Sequence, residues 1–194
     1  MNRRRQLISI CTLAAIALIL PPRFARATTF VRMDLRALVQ AAQIIARVRC
    51  TGSETRIASG EIWTFDDFAV LETFKGNPSR VLRLRLPGGR VGHVETRIEG
   101  VPKFSSGEEA VLFIEKTSAG DYSITSWAQG TLRVHRSASG EDPRLTQDTS
   151  RNSVFDPATR QFTSVGIREL SLADFRRQIA EALHETSTNA RESR

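Results

Sequence analysis

The chain has 194 residues with 28 basic and 21 acidic side chains, enough for one ordinary domain and an appendage. Its positive excess is local: residues 1–27 hold five arginines and no acid, leaving 23 basic against 21 acidic groups in the rest. A remainder so near neutrality excludes a global electrostatic case for nucleic-acid binding.

The first segment reads as an export signal. Arg3, Arg4 and Arg5 precede a 14-residue apolar run from Leu7 to Leu20, and Ala25-Arg26-Ala27 supplies a cleavage site. The run is short for a membrane span, which needs about 20 residues. Cleavage is expected after Ala27. Arg4-Arg5-Gln6-Leu7-Ile8 also resembles a twin-arginine signal, although the strongly apolar stretch favours the ordinary secretory route. The expected location is therefore periplasmic or secreted, with no membrane span after cleavage. Only Cys50 then remains, so an intramolecular disulfide is impossible and the core alone must hold the domain.

After the signal, Asp34 can cap a short helix carrying Leu35, Leu38, Val39, Ala42 and Ile45 at helical spacing. The period then changes to two. Ile44, Ala46, Val48 and Cys50 share the apolar face of a strand, with Arg47 and Arg49 on the other. Cys50 reads as a small core residue rather than a reactive thiol. Thr51 to Gly60 is polar and turn-rich. Ile62 to Phe74 reads as a long strand stopped by Lys75-Gly76-Asn77-Pro78. In the next strand Leu82, Leu84 and Leu86 face inward, so Arg83 and Arg85 protrude. Pro87-Gly88-Gly89 is a turn, and Val91 to Ile98 is a further strand or irregular.

Ala110 to Ile114 is a short, wholly apolar run, as in a central strand covered on both faces. Tyr122 to Trp127 and Leu132 to Val134 continue the β pattern. Residues 137–153 are polar and read as an exposed, flexible connection. Val154 to Val165 forms a hairpin around Asp156-Pro157. Ser171, with Asp174 three residues on, caps a last helix whose stripe is Leu172, Phe175, Ile179 and Leu183. Asn189 to Arg194 reads as a frayed tail. The expected organisation is a signal over 1–27, a β domain with its N-terminal helix over 28–136, a connection over 137–153, and a hairpin, helix and tail over 154–194.

The glycines between Leu86 and Phe113 invite a phosphate-loop reading. That chemistry needs a helix start directly after the loop, and the spacing fits neither G-x-G-x-x-G nor G-x-x-x-x-G-K-[ST]. Turns and close backbone approach account for them. Asp66 and Asp67 are adjacent in a strand, so their side chains point to opposite faces and cannot serve one acid–base site unless a bulge intervenes. His93, His135 and His184 sit in no metal or hydrolase motif, and His93 with Glu95 gives only two ligands of different type. No catalytic residue, metal ligand or cofactor is assigned. The candidate partner-binding residues are Arg83, Arg85, Arg90 and His93, the arginines being suited to charge-assisted contacts with an anion. The competing reading is a solvated strand face whose charges prevent edge pairing.

The run "IIARVRC … WTFDDFAVLETFKG … RVLRLRL … GEEAVLFIE … YSITSW" resembles the strand series of a small OB-type Greek-key barrel, in the netrin/tissue-inhibitor-of-metalloproteinase-like branch. The matching features are Lys75-Gly76 at a strand end and the Gly107 to Phe113 strand. The chain also resembles exported bacterial proteins with "PGG" followed by "G-x-P-x-F-x-x-G-E", here Pro87 to Gly89 and Gly100 to Glu108. The resemblance spans about Leu38 to Val134 and implies a mainly β (α+β) antiparallel OB-like barrel with an N-terminal and a C-terminal helix. It also implies binding to other proteins. The inhibitors' N-terminal cysteine and bracing disulfides are missing, so their mechanism does not transfer. The expected function is an exported, non-enzymatic module for a secreted or envelope protein. The alternatives are an exported hydrolase or metal-dependent enzyme with a site assembled from distant residues, and a binder of anionic glycans or lipid head groups.

Overall fold

The computed structural model describes residues 30–136, 140–149, 154–163 and 166–192. The expected export signal and its cleavage site lie outside the described residues. The chain is mainly β with two helices. Among the described residues no helix is long and apolar enough to cross a membrane.

Strand β1 (Phe30–Val31) leads into helix α1 (Leu35–Ala41). The Asp34 side chain accepts from the Ala37 amide at 2.8 Å, which starts α1 as its sequence implies. At the other end, Lys75 Nζ donates to the carbonyls of Val39 and Ala42 at 2.6 and 2.5 Å. It satisfies acceptors that a helix end leaves open.

Strands β2 (Ile44–Ala58) and β3 (Glu61–Lys75) form a long hairpin. Its two-residue turn, Ser59-Gly60, has φ of +53° and +80°. That pair of left-handed residues matches the twist of the flanking strands. The expected turn-rich segment from Thr51 is therefore strand as far as Ala58. Cross-strand pairing with β3 outweighs its polar composition. Irregularities at Ile45/Ala46, Arg47/Val48 and Cys50/Gly52 bend the ribbon.

β4 (Val81–Pro87) pairs antiparallel with β3. β5 (Gly89–Val91) and β6 (Val94–Thr96) make a separate small hairpin. β7 (Glu109–Lys116) is buried from Glu109 to Ile114, the centrally placed strand that its continuous apolar run predicts. β8 (Tyr122–Ile124) and β9 (Thr131–His135) follow. β7 pairs with β2, β8 and β9, and β8 pairs parallel with β4 at Leu84↔Tyr122. Hydrogen bonding thus runs in a ring through β7, β2, β3, β4 and β8 and back to β7.

The expected flexible connection over 137–153 is corrected in part. Arg144–Gln147 is strand β10, paired with β9 and with β13 (Leu170–Ser171). Leu145 is fully buried, and Gln147 accepts from the Ile167 amide while donating to the Gln129 carbonyl. A polar residue buried with its partners supplied reads from sequence as surface. β11 (Val154–Asp156) and β12 (Gln161–Thr163) form the expected hairpin, and β1 joins it in parallel. Helix α2 (Leu172–Glu192) runs into the residues expected to fray. Ser171 Oγ accepts from the Asp174 amide at 3.0 Å and donates to its carboxylate at 2.7 Å. Both bonds fix the start of α2.

Two cores lie on the two faces of the sheet. β7 feeds both by alternation: Ala110, Leu112 and Ile114 enter one, Val111 and Phe113 the other. The first core lies within the ring of strands and takes the leucines of β4 with Phe68 and Phe104. The second is covered by α1 and α2, so the last helix docks on the sheet. Its centre is Phe175, edge-on to Phe74 and Phe113 with ring centroids 5.3 and 6.3 Å away.

Candidate functional site

An open groove lies on the leucine side of β3 and β4. Its floor is the outer half of the β2–β3 hairpin, where Ser53 faces Asp66 and Thr55 faces Thr64. One wall is the β5–β6 hairpin. The other is the 97–108 segment with Arg133 of β9.

Glycines set the first wall. Gly88 has φ +89°, and a Cβ there would stand 2.7 Å from the Thr96 carbonyl oxygen. Gly89 has φ +128°, and a Cβ there would collide with the Thr55 and Thr64 side chains. These two positions need glycine for conformation and for close approach. A strand follows them, not a helix, as expected for turns rather than a phosphate loop.

The second wall is pinned to β2. Gly107 N donates to the Cys50 carbonyl at 2.8 Å, and Cys50 N to the Glu108 carbonyl at 2.9 Å. Phe104 is buried edge-on against Phe68 at 5.0 Å. The Arg133 guanidinium covers Phe104 at 4.5 Å, bonds Glu108 at 2.5 Å and Asp148 at 2.9 Å, and reaches the Lys103 carbonyl. It therefore holds three segments together.

Asp66 is the unusual group. It is 1% exposed, with both carboxyl oxygens shut off from solvent and Ser53 as the neighbouring donor. Burial pushes its pKa up, and the charge of Asp67 adds to the rise. A hydrogen bond from Ser53 and the charge of Arg133 pull the other way without reversing it. Asp67 points to the opposite face and makes a two-bond pair with Arg83 at 2.7 Å, which holds its carboxyl low. The two adjacent acids are thus separated as the strand period predicts.

The four candidate partner-binding residues do not form one patch. Arg83 is taken up by Asp67. Arg85 pairs with Asp121 at 2.8 Å and lies over the Trp63 ring at 3.8 Å. Both are on the face away from the leucines. Arg90 is on β5 and lines the groove, opposite Glu95 in the hairpin register. His93 is exposed in the β5–β6 turn. Sequence reasoning missed the groove's own residues, Asp66, Arg133, Glu108 and Asp148. The one available signal was the inward register of Asp66 with Phe68 and the leucines.

Cys50 is buried, with its thiol 3.6 Å from the Gly52 carbonyl. Burial and then the Asp66 charge push its pKa up, which suits a core residue rather than a nucleophile. Among the described residues no three His, Cys, Asp or Glu side chains gather as a metal-ligand set. Comparison with protein-family models, curated proteins and solved structures gives no match.

Proposed function

We propose that this chain is an exported, non-enzymatic binding module on a small OB-like barrel, acting in the periplasm or outside the cell. The ring of strand pairings, with its single parallel contact between β4 and β8, supports the barrel reading. One observation carries the binding reading: the open groove has charged walls already braced by internal pairs. A pre-organised polar surface loses little side-chain freedom when a partner docks. The partner is a secreted or envelope protein.

The test is an affinity pull-down with tagged protein from periplasmic and secreted fractions of the host, at two salt concentrations, read by mass spectrometry. One protein enriched at both salts supports the reading. Nothing specific at either overturns it.

The hydrolase alternative has one observation in its favour, a buried acid with a raised pKa in a groove. It lacks a second converging group and predicts turnover abolished by Asp66→Asn. The anionic glycan or lipid alternative loses two of its three arginines to Asp67 and Asp121. It predicts salt-sensitive binding lost in the Arg83, Arg85 and Arg90 triple alanine variant.

A further inference from the structure

The outer half of β2 has a partner on one side only. β7 pairs with β2 from Ile44 to Arg49, and the Gly107–Glu108 segment takes over at Cys50. From Gly52 to Ala58 the pairing is with β3 alone among the described residues. The register fixes which backbone groups are left over. The two-residue turn makes Ala58 and Glu61 a hydrogen-bonded pair, and such pairs alternate along an antiparallel ladder. Arg56 and Glu54 therefore bond to β3, whereas Ser53, Thr55 and Ile57 direct their N–H and C=O groups outward. The Ile62 carbonyl agrees with this phase: it accepts from Gly88 on the β4 side, away from Ile57 opposite it. Ser53, Glu54, Arg56 and Ile57 are all exposed, so the edge is open to another chain.

Proteins block free edges with proline, like charges or a bulge. Gly52–Ala58 contains no proline, and the irregularity at Cys50/Gly52 lies at its inner end. Its charges are one of each sign, Glu54 and Arg56, placed symmetrically about Thr55. Within one copy Arg56 lies over the Phe65 ring at 4.3 Å, and neither charge forms a salt bridge among the described residues. A second copy running antiparallel, Thr55 against Thr55, sets Glu54 of each copy opposite Arg56 of the other. Opposite charges directly across a ladder attract. The same register sets Ser53 against Ile57, so every outward backbone group meets its complement. The adjacent registers that keep those groups in phase centre on Glu54 or on Arg56, and each puts two like charges face to face. The stretch is thus self-complementary at Thr55 and not at its neighbours.

We propose that two copies of this chain join edge to edge through β2, antiparallel about a two-fold axis at Thr55, with a Glu54–Arg56 pair on either side of it. The sheet then continues from one copy into the other. Ser53 and Thr55 line the groove, so the two groove floors run together across the joined edge. Ile57, 59% exposed in the single chain, lies beside Ser53 of the second copy. The paired stretch is short, so the dimer is reversible and its population depends on concentration. This assembly goes beyond the binding-module reading and does not depend on it.

The experiment is sedimentation equilibrium of the full chain at concentrations reaching about 100 μM. It compares the natural protein with Glu54→Arg, Arg56→Glu, the variant carrying both swaps, and Ile57→Pro. Thermal unfolding of each variant checks that it is folded. The natural chain should dimerise. Each single swap sets like charges across the axis twice and should raise the dissociation constant about tenfold. The double swap exchanges the charges within the same register and should return it to within about threefold of the natural value. Ile57→Pro removes an outward N–H from each copy, leaves the bonds to β3 in place, and should also weaken the dimer. A natural chain that stays monomeric throughout overturns the proposal. So do single swaps without effect, or a folded double swap that associates no better than the singles. Where a swap does not fold, Ile57→Pro decides: dimerisation undiminished in that folded variant overturns the proposal as well.

Discussion

The two faces of this sheet are finished differently. On one, α1 and α2 bring Leu38, Val39, Leu172, Phe175 and Ile179 onto Ile45, Val111 and Phe113. On the other, the leucines of β4 close an interior around Phe68, but beyond them Asp66, Ser53 and Thr55 lie under an open groove. The first face is mainly apolar where it is buried, and its buried polar groups, Gln147 and Glu109, have their partners supplied. The second buries a carboxyl, Asp66, whose pKa burial pushes up. Stability alone accounts for the helix-covered face and does not account for the groove, which is why the groove is the place to look for function.

The largest expected effect tests the covered face. Phe175→Ala removes the ring between Phe74 and Phe113 and should cost about 3–5 kcal/mol, read by denaturant unfolding. A cost below 1 kcal/mol would mean that α2 is not an integral part of the core.

Glu109 ranks next. Burial pushes its pKa up, but hydrogen bonds from Arg49 and Arg136 and the charges of Arg136 and Arg47 more than offset this and hold it low. A lowered acid contributes stability above its unfolded-chain pKa and loses it as pH falls through the folded value. Glu109→Gln should cost about 1–3 kcal/mol at neutral pH, towards the lower end because Arg49 and Arg136 are half exposed, and less in acid. A loss independent of pH would place the effect in packing instead.

Asp66→Asn should have the opposite sign. With its pKa raised, the folded state binds more protons than the unfolded chain between the ordinary carboxyl value and the folded one. Stability therefore falls as pH rises through that window. The asparagine variant should be more stable by about 1 kcal/mol on the high-pH side and equal to the natural chain below the window. Equal stability at every pH would show that the carboxyl has a partner in solution. This measurement sharpens the contrast between the faces most directly.

Arg83→Ala is expected to do least. Its pair with Asp67 is open to solvent, so the unfolding midpoint should stay within experimental error.

Much of the sheet was legible because burial imposed a period. Leu82, Leu84 and Leu86 announced an inward face, and the run from Ala110 to Ile114 announced a strand covered twice. Asp34 and Ser171 marked helix starts through their own hydrogen bonds. What failed to show were segments held by partners far along the chain. The Thr51–Ala58 half of β2 is polar and depends on β3, and β10 hides one leucine and one glutamine in a polar stretch. The groove was invisible for the same reason. Arg133 meets Glu108 and Asp148 only after folding, and Asp66 was set aside with Asp67 as a pair that cannot serve one site.

The position of α2 has a consequence for the order of assembly. The face that it covers belongs to β2 and β7, which come early and midway in the chain, while Leu172, Phe175 and Ile179 come near its end. Until that helix has been made, Ile45, Val111 and Phe113 have only α1 over them. A chain stopped before Leu172 would present a sticky apolar plate, prone to joining with its like. Closure of this face is thus coupled to synthesis of α2.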